Sequence, residues 1–498
     1  MKNIIFRILI ASFAVMACIP EVRAEIVTTD EALVVANNWI NTIIRKKGSW
    51  GDADSAHVDN IQEFKRGQRV LGYFCNVEPV GYIIVSLRKE FAPVKAYSAR
   101  SELEPDTDEG MADYLKGRME RILNRVEKKF GSVTTARSED VSGLFEVDYK
   151  EAWEQLEAGV LPIAKADVGT EASADYVQGG DYQEGDVLLN TSWWQGHPYN
   201  LYCPAPPDGN GCTWDHCTVG CNATAGAQVL RHWCWPPYGA NGSPYTDTYE
   251  WWNMPNTIDE SSPAAQIYAT AELNYEVGLA GNQAYCVSDC ATAGHIENMR
   301  PGYISHFRYN SGSSVPYRTN YTATGWFSLI QQQLNRNRPM TYGIPGHAIA
   351  CDGWQEVIIP PSPFLVKQYH MNWGWESTSR DTWYTLDSFS DPSVEHLLAD
   401  HFPVQAIGDT VVSGTYPRNV FPYRYFDRDA TASFTTTFAS GNYLQFLNGI
   451  RLRASGYVRI ESTATLYTRL FSGGDPSTGI RLDRGTMILT SGGSVKLY

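Results

Sequence analysis

The sequence has a deficit of positive charge and no long apolar run after its first 24 residues. Lysine and arginine number 40 against 55 aspartates and glutamates, giving a formal net charge of -15. A chain this acidic is not expected to bind nucleic acid through a broad basic surface. No apolar stretch beyond the N-terminus approaches the roughly 18 residues that a spanning helix needs. Collagen repeats, coiled-coil heptads and long low-complexity tracts are also missing, so the 43% of hydrophobic residues predicts packed globular domains.

The first 24 residues have the pattern of an export signal. Lys2 and Arg7 precede an apolar stretch over 8–19, and Val22 and Ala24 occupy the positions that a signal peptidase reads before its cut. We therefore predict a signal peptide over 1–24 and a secreted mature chain. The alternative is an imperfect lipobox that ends at Cys18, which would leave a membrane-anchored lipoprotein.

The cysteine pattern fits an oxidising compartment. The chain has ten cysteines, and seven of them fall between 203 and 290. In a secreted protein most of these are expected to form disulfides, but spacing alone does not give the pairing. A zinc site built from Cys203, Cys212, Cys217 and Cys221 is an alternative that is weakened by the absence of a CxxC pair. Overall, no metal or organic cofactor is expected.

Residues 25–180 predict an α+β unit that ends in a linker. Thr28 and Glu31 form a capping-box pattern at the start of an amphipathic helix. A second amphipathic helix is predicted over about 110–129, and the acidic, glycine-containing stretch 177–186 is typical of an exposed linker. Short β-like runs lie between the two helices, at Val70–Phe74 and Gly81–Ser86. The predicted apolar stripes are Ala32, Val35, Ala36, Trp39, Ile40 and Ile43 in the first helix and Met111, Leu115, Met119, Ile122 and Val126 in the second.

Two further units follow this linker. Residues 181–405 are dense in cysteine, tryptophan, proline and glycine and form the predicted core domain. Residues 406–498 alternate apolar and polar positions, and Gly-Ile-Arg-Leu occurs at both 449–452 and 479–482. This texture predicts a small all-β module of short repeated units. This module could bind a cell surface or a glycan. Alternatively, it could be an appendage that only stabilises the protein.

Cys221 is a candidate nucleophile. Gly220 permits a tight turn, and the small residues after it lead into a segment of helical character that ends near Pro236. A cysteine at a helix N-terminus faces free backbone N–H groups and the positive end of the helix dipole, which favour the thiolate. The alternative is a disulfide cysteine in a cysteine-rich loop.

His347 is the candidate partner of this sulfur. It follows Gly346 and opens an apolar run that predicts a buried strand. Asn372, in a second predicted strand, could accept the imidazole N–H and fix its tautomer, and the indole of Trp373 or Trp375 could shield that bond from water. His370 lies close to the same Asn but ranks below His347, and a purely structural role is the alternative for either histidine.

Gln195 is the candidate donor to an oxyanion. Its primary amide could point at the negative oxygen that develops on a carbonyl, alongside the backbone N–H of Cys221. In the absence of further information, the alternative is a glutamine in a polar loop.

Four segments in this order resemble the streptopain family of papain-like cysteine peptidases. They are WWQGHPYNLYCP, TVGCNATAGAQVLRHWCWPP, GHAIACDGW and YHMNWGW. The resemblance extends upstream, where TTDEALVVANNWI and GYIIVSLRKEFAPVKAYS are similar to that family's propeptide. It spans about 370 residues and leaves the C-terminal module outside.

The resemblance implies both a fold and a set of roles. Cys221 would be the nucleophile, His347 the general base and acid, and Gln195 the oxyanion donor, while Asn372 and Trp373 would orient and cover the imidazole. The implied fold is α+β: a helical subdomain with Cys221 faces a β-rich subdomain with His347 and Asn372. An α+β prodomain precedes the peptidase, and the all-β module follows it.

We therefore expect a secreted cysteine endopeptidase made as a zymogen. Its partners would be protein or peptide substrates, with its own prodomain as an intramolecular inhibitor. The alternative is a non-catalytic secreted binding or adhesion protein whose peptidase-like core is locked by disulfides. A bond between Cys221 and either Cys217 or Cys234 would favour that alternative.

Overall fold

The computed structural model describes residues 25–402 except 109, 160–181, 234, 237, 337, 362–363, 376–381 and 387–393, and ten strands beyond residue 410. The predicted signal peptide 1–24, Cys18, Cys234 and the first half of the predicted linker, 177–181, therefore lie outside the described residues.

The N-terminal unit packs helices on a four-stranded antiparallel sheet. Its elements are α1 (Thr29–Lys47), β1 (His57–Arg66), β2 (Arg69–Glu78), β3 (Tyr82–Ser86), β4 (Val94–Ser98), α2 (Gly110–Phe130), α3 (Ser138–Ser142) and α4 (Lys150–Ala158). The predicted capping box is present, because Thr28 accepts from the Glu31 N–H and the Glu31 carboxylate accepts from the Thr28 N–H. Every residue of the two predicted apolar stripes is buried. Burial contributes about 1.5–3 kcal/mol for each large aliphatic side chain and holds both helices on the sheet.

The next unit is helical and has its own hydrophobic core. Its elements are α5 (Cys221–Trp233), α6 (Ala264–Ala280), the hairpin β5 (Ala284–Ser288) and β6 (Ala291–Ala293), and α7 (Ile296–His306). Close packing explains the small residues of α5: a Cβ added at Gly226 would lie 1.7 Å from the Tyr303 hydroxyl of α7.

The third unit is rich in β structure. Its elements are α8 (Ala323–Leu334), β7 (Met340–Ile344), β8 (His347–Ile358), β9 (Leu365–Asn372), β10 (Thr382–Thr385) and β11 (His396–Leu397). The helical subdomain thus carries Cys221 and the β-rich subdomain carries His347 and Asn372, which confirms the predicted α+β architecture of the peptidase part.

One sheet joins the N-terminal unit to the β-rich subdomain. The strand order is β1-β2-β3-β4-β10-β9-β8-β7-β11, and β4 pairs antiparallel with β10 through Tyr97 and Trp383 and through Ala96 and Tyr384. A single hydrophobic cluster runs through both parts. The sequence patterns did not predict this continuity.

Beyond residue 410 the described backbone forms short strands in two parallel sheets. They are β12 (Val411–Tyr416), β13 (Tyr423–Phe426), β14 (Ala430–Phe438), β15 (Tyr443–Phe446), β16 (Arg451–Ala454), β17 (Tyr457–Ile460), β18 (Thr465–Thr468), β19 (Gly479–Leu482), β20 (Thr486–Leu489) and β21 (Ser494–Leu497). Arg451 and Leu452, the second half of the first Gly-Ile-Arg-Leu repeat, pair in parallel with Gly479 and Ile480 of the second repeat, because β16 lies beside β19. Strands from successive stretches of chain stack in the same direction, as in a repeat protein.

Candidate active site

The candidate nucleophile lies where the sequence predicts it, at the first residue of α5. Gly220 has a φ of 90°, and a Cβ there would lie 2.2 Å from Gln283 Oε1, so this turn requires glycine. The first helical bond runs from Thr224 N–H to Gly220 O at 3.0 Å. Cys221 is half-buried and its sulfur is free. The disulfide alternative for Cys221 is therefore wrong.

The protonation state of Cys221 differs from the prediction. Burial raises the pKa of the thiol above its usual value, although the backbone amides of Ala348, Asn222 and Cys221 stabilise the thiolate and act in the opposite direction. The N-terminal helix position is present, but desolvation outweighs it in this state, so the expected thiolate is a neutral thiol at neutral pH. The Ala348 amide follows His347 directly, so α5 and the start of β8 meet at this sulfur.

His347 is the first residue of β8 and is buried. Its Nε2 lies 3.1 Å from the main-chain oxygen of Trp373 and 3.2 Å from Nε1 of Trp375. The Trp373 carbonyl can only accept a hydrogen bond, so this contact requires a proton on Nε2. The Trp375 indole N–H can only donate, so that contact requires Nε2 without a proton. Each neutral tautomer of His347 therefore makes one of the two hydrogen bonds. Burial lowers the pKa of His347 to about 4, and the charge of Arg118 acts in the same direction. The ring is therefore neutral at neutral pH.

Asn372 ends β9, but its side chain is turned to other partners. Its Nδ2 donates to Thr191 O at 2.7 Å and to Gln228 Oε1 at 3.0 Å, while its Oδ1 accepts from Gly374 N–H at 3.1 Å. Among the hydrogen bonds of the described residues, none joins Asn372 to His347. The predicted contact is thus wrong for this state, because the Asn372 carbonyl already accepts from the Gly374 N–H and, at 3.3 Å, from Gln228 Nε2.

Trp373 packs against the imidazole of His347. It is fully buried, and its ring lies nearly parallel to that of His347 with centroids 5.6 Å apart. Trp375 adds a second indole at 5.8 Å. Both follow from the Gly374 turn, whose φ of 65° folds the chain back over the imidazole.

Gln195 lies beside the nucleophile turn. Its main-chain oxygen accepts from Val219 N–H at 2.9 Å, and the residue lines a cleft of about 1080 Å³. Three tryptophans, Trp194, Trp214 and Trp375, line the same cleft. The opposite wall belongs to the N-terminal unit and includes Leu103, Pro105, Met111 and Ala112.

The sequence patterns missed two residues that reach the site from α2. The Tyr114 ring lies 5.0 Å from that of His347 and 5.6 Å from that of Trp373. The Tyr114 hydroxyl donates to Pro345 O at 3.2 Å, and the Arg118 guanidinium donates to the same oxygen and stacks on the Tyr114 ring. Their spacing of four residues places them on one helix face. That spacing is the one sequence signal that could have placed Tyr114 beside Arg118. It does not indicate that the two side chains contact His347 and Pro345.

The remaining histidine and cysteine candidates lie in other surroundings. His370 Nδ1 lies 2.7 Å from the buried carboxylate of Asp352. Two disulfides, Cys212–Cys290 and Cys217–Cys286, use two members of the zinc alternative, so that alternative is wrong. The other free cysteines among the described residues are Cys75, Cys203 and Cys351, all buried.

Comparison with known families agrees with this geometry. Residues 193–384 match the Peptidase C10 family, and residues 24–122 match the Spi protease inhibitor family. The thiol protease/hemagglutinin PrtT of Porphyromonas gingivalis is 23% identical over 389 residues, which cover 74% of this chain and 40% of that relative. Streptopain of Streptococcus pyogenes is 24% identical over 369 residues, which cover 68% of this chain and 80% of streptopain. The chain thus spans less than half of PrtT.

Two solved structures from Prevotella intermedia are also similar. A prointerpain A fragment has 18% identity and a TM-score of 0.47, over 70% of this chain and 99% of that one. Active interpain A has 23% identity and a TM-score of 0.35, over 45% of this chain and 96% of that one.

The fold and the two family matches together define a domain of the cysteine-peptidase type preceded by an inhibitor-like domain. More narrowly, residues 193–384 form a domain of the Peptidase C10 family, the streptopain family, and residues 24–122 form a propeptide domain of the Spi inhibitor type.

Proposed function

We propose that this chain is the zymogen of a secreted cysteine endopeptidase that hydrolyses peptide bonds through a thioester. The observation that carries the proposal is a free sulfur at the start of α5 that meets the first residues of β8, where His347 lies. The domain boundaries proposed with it are 1–24 for the signal, 25–180 for the prodomain and linker, 181–405 for the peptidase and 406–498 for the C-terminal module.

The reaction uses groups from both subdomains. Cys221 Sγ attacks the substrate carbonyl while His347 takes the thiol proton, and the Gln195 amide and the Cys221 N–H stabilise the oxyanion. Protonated His347 then gives its proton to the leaving amine, and water hydrolyses the thioester. Loss of one oxyanion donor is expected to cost about 3 kcal/mol in transition-state stabilisation.

Inhibition is assigned to α2 of the prodomain. Tyr114 packs against His347, and the Arg118 charge disfavours the imidazolium on which catalysis depends. Departure of α2 frees the imidazole to turn from the Trp373 carbonyl towards Asn372, which then acts as a positioning residue.

In an unprocessed chain, Tyr114→Ala with Arg118→Ala should speed alkylation of Cys221 by iodoacetamide. Lys128→Ala, an exposed change on the same helix, is the matched control. Unchanged alkylation in the double variant would contradict this role of α2.

The cleft supports apolar substrate side chains. Trp375 contacts His347, which protonates the leaving amine, so the cleft it lines receives residues on the leaving-group side of the scissile bond. Trp194 and Trp214 form an edge-to-face pair at 6.4 Å on another part of the wall. Peptides with a large apolar residue after the scissile bond should be cut faster than those with glycine or aspartate there, and equal rates would refute this preference.

Export is supported by the signal pattern and by two disulfides. None of the helices among the described residues is long and apolar enough to span a membrane. The lipoprotein alternative through Cys18 would place the same enzyme on a membrane surface. The N-terminal sequence and mass of the exported chain distinguish the two, since only the lipoprotein retains an acylated Cys18.

The direct test is replacement of the sulfur. Cys221→Ala in the processed enzyme should lower casein cleavage by more than about 1,000-fold, because the nucleophile is lost. Cys203→Ala removes another free, buried thiol of the same domain and should leave cleavage close to wild type. Cleavage by Cys221→Ala at the wild-type rate would refute the proposal. The alternative of a disulfide-locked binding protein assumed that Cys221 is bonded to another cysteine. The free sulfur of Cys221, which belongs to neither disulfide, removes this assumption.

A further inference from the structure

The nucleophile turn depends on a part of the chain with little packing of its own. Residues 204–216 contain no helix or strand and are mostly exposed, and they lead through Cys217 and Thr218 into Gly220 and Cys221. An irregular exposed segment is mobile unless its ends are tied down. The position of the sulfur therefore depends on what fixes Cys217 to Gly220.

The β5–β6 hairpin fixes this segment from one side. Thr218 N–H donates to Cys290 O at 2.9 Å, Thr292 N–H donates to Thr218 Oγ1 at 3.1 Å, and Thr292 Oγ1 donates to Thr218 O at 2.6 Å. Gln283, just before β5, lies against Gly220. On the other side, the bond from Val219 N–H to Gln195 O joins the turn to the candidate oxyanion donor. The hairpin thus sets the positions of both Cys221 and Gln195.

The hairpin itself is weak. Its strands have five and three residues, and most of their side chains are exposed or half-buried. A two-stranded hairpin without a core is marginal in water. Tyr285 links it to α6 through a 3.4 Å hydrogen bond to Tyr275 O and through its ring, whose centroid lies 6.1 Å from that of Tyr275. The strongest links between hairpin and loop are the two disulfides, Cys217–Cys286 and Cys212–Cys290.

The two disulfides differ in position and exposure. Cys217 and Cys286 are buried, and Cys217 directly precedes Thr218. Cys212 and Cys290 are half-buried, and Cys212 lies farther back in the loop. We call Cys217–Cys286 the inner pair and Cys212–Cys290 the outer pair.

We propose that the inner disulfide is a positioning element for Cys221, so that the enzyme needs this pair oxidised and Cys221 reduced at the same time. The inference rests on the proposed function. A dithiol such as dithiothreitol reduces each disulfide by transferring two electrons and two protons, which leaves two thiols on the chain and a cyclic disulfide on the reagent. Reductant should therefore activate the enzyme only up to the concentration at which the inner pair opens. The more accessible outer pair should open first, with little loss of activity.

The test uses the processed wild-type enzyme and two double variants. Cys217→Ser with Cys286→Ser should lower kcat by about 10- to 100-fold with a smaller change in KM. The reason is that the variant displaces the Cys221 sulfur but leaves the substrate-binding cleft in place. Its Cys221 should also be alkylated at a different rate and with a different pH profile from wild type. Cys212→Ser with Cys290→Ser is the matched control and should retain most of the wild-type kcat. Thermal unfolding of each variant checks that the domain is folded at the assay temperature.

A reductant titration covers the case in which the inner-pair variant does not fold. Wild-type enzyme is treated with graded dithiothreitol, and casein cleavage is compared with the state of each pair measured by mass spectrometry after alkylation. Activity that falls as the inner pair opens supports the inference. Full activity with the inner pair reduced, or a wild-type kcat in the inner-pair variant, would overturn it. A wild-type enzyme that neither cleaves casein nor is alkylated at Cys221 would instead refute the proposed function.

Discussion

At the scale of single residues, the described state holds both catalytic candidates neutral. Burial raises the pKa of the Cys221 thiol and lowers that of His347 to about 4. A thiol is a poor nucleophile, and a neutral imidazole with such a low pKa is a weak base. This chemistry matches a zymogen, in which the machinery is present but uncharged.

The first prediction concerns this protonation state. In the unprocessed chain the alkylation rate of Cys221 should be low at pH 7 and still rise at alkaline pH, because the raised pKa keeps the thiolate fraction small. After processing, water reaches the site, and the rate should be high already near neutral pH. The measurement is the pH profile of iodoacetamide labelling at Cys221 in both forms, and identical profiles would contradict it.

The second prediction concerns the glycine before the nucleophile. Gly220→Ala forces a Cβ into contact with Gln283 at a positive φ, so it should displace Cys221 and lower kcat strongly, with a loss of about 1–3 kcal/mol in the free energy of unfolding. Gly209→Ala is the control, because Gly209 also has a positive φ but nothing lies within 4 Å of an added Cβ. Equal kcat values for both variants would show that the turn tolerates the side chain.

The sequence allowed prediction of features that depend only on residues adjacent in the chain. The Gly220 turn, the small residues of α5 and the apolar run after His347 each carry their own signal. The partners of Asn372 could not be predicted, because Thr191 and Gln228 come from distant parts of the chain. For the same reason nothing in α2 indicated that Tyr114 would contact His347.

At the scale of elements, α6 contributes two of three acidic residues in a cluster that runs from an exposed to a buried position. Carboxylate oxygens of Asp247, Glu272 and Glu276 lie within 4.8 Å of one another, and the Tyr249 hydroxyl donates to Glu276. Burial, together with neighbouring carboxylates, raises the pKa of Glu272 to about 7 and that of Glu276 to about 8. Both are protonated more readily in the folded than in the unfolded chain.

The third prediction follows from these two raised values. A carboxyl with a raised folded-state pKa stabilises the fold fully below its unfolded pKa, and this contribution is lost as pH rises through the folded value. The peptidase domain should therefore lose stability between about pH 5 and 8. Glu276→Gln should unfold at a higher temperature than wild type at pH 8.5 and show a flatter pH profile. Glu260→Gln, an exposed change, is the control, and a wild-type profile for Glu276→Gln would contradict the assignment.

Helix α2 shows how far an element could be predicted. The stripe from Met111 to Val126 predicted its span to within a residue and its buried face correctly. The adjoining face, with Tyr114 and Arg118, makes contacts with β8 that depend on how two units pack. Periodicity identifies the apolar face of a helix but not the partner of its polar residues.

At the scale of the whole molecule, the prodomain is built into the peptidase sheet. The β4–β10 pairing is reinforced by side chains: Thr385 Oγ1 donates to Val94 O at 2.6 Å, and Gln355 Nε2 donates to Tyr97 Oη at 2.9 Å. The shared hydrophobic cluster adds to this interface. A cut in the chain therefore does not by itself separate the two parts.

The fourth prediction tests this coupling. A site for a specific protease inserted within 160–181 of the Cys221→Ala chain allows one cut without self-digestion. The two fragments should then co-elute in gel filtration as a non-covalent complex and separate only in denaturant. Immediate separation after the cut would contradict the structure's continuous sheet.

The order of the units could be predicted from the sequence, and the joining of their sheets could not. Changes in composition separate the N-terminal, peptidase and C-terminal parts. The sequences of the short strands β4 and β10 do not indicate that these two strands pair. Any two edge strands present the same unpaired backbone groups. In the C-terminal part, the two Gly-Ile-Arg-Leu repeats predicted β structure, while the parallel pairing of β16 with β19 emerged only from the three-dimensional arrangement.

The central claim is that Cys221 is the sulfur that cleaves peptide bonds. Its most direct test is titration of the processed enzyme with an epoxide inhibitor of thiol proteases, followed by mass mapping. The account predicts one label per chain, on Cys221, with casein cleavage lost in proportion to labelling. A label on another cysteine, or full cleavage by a chain labelled at Cys221, would contradict it.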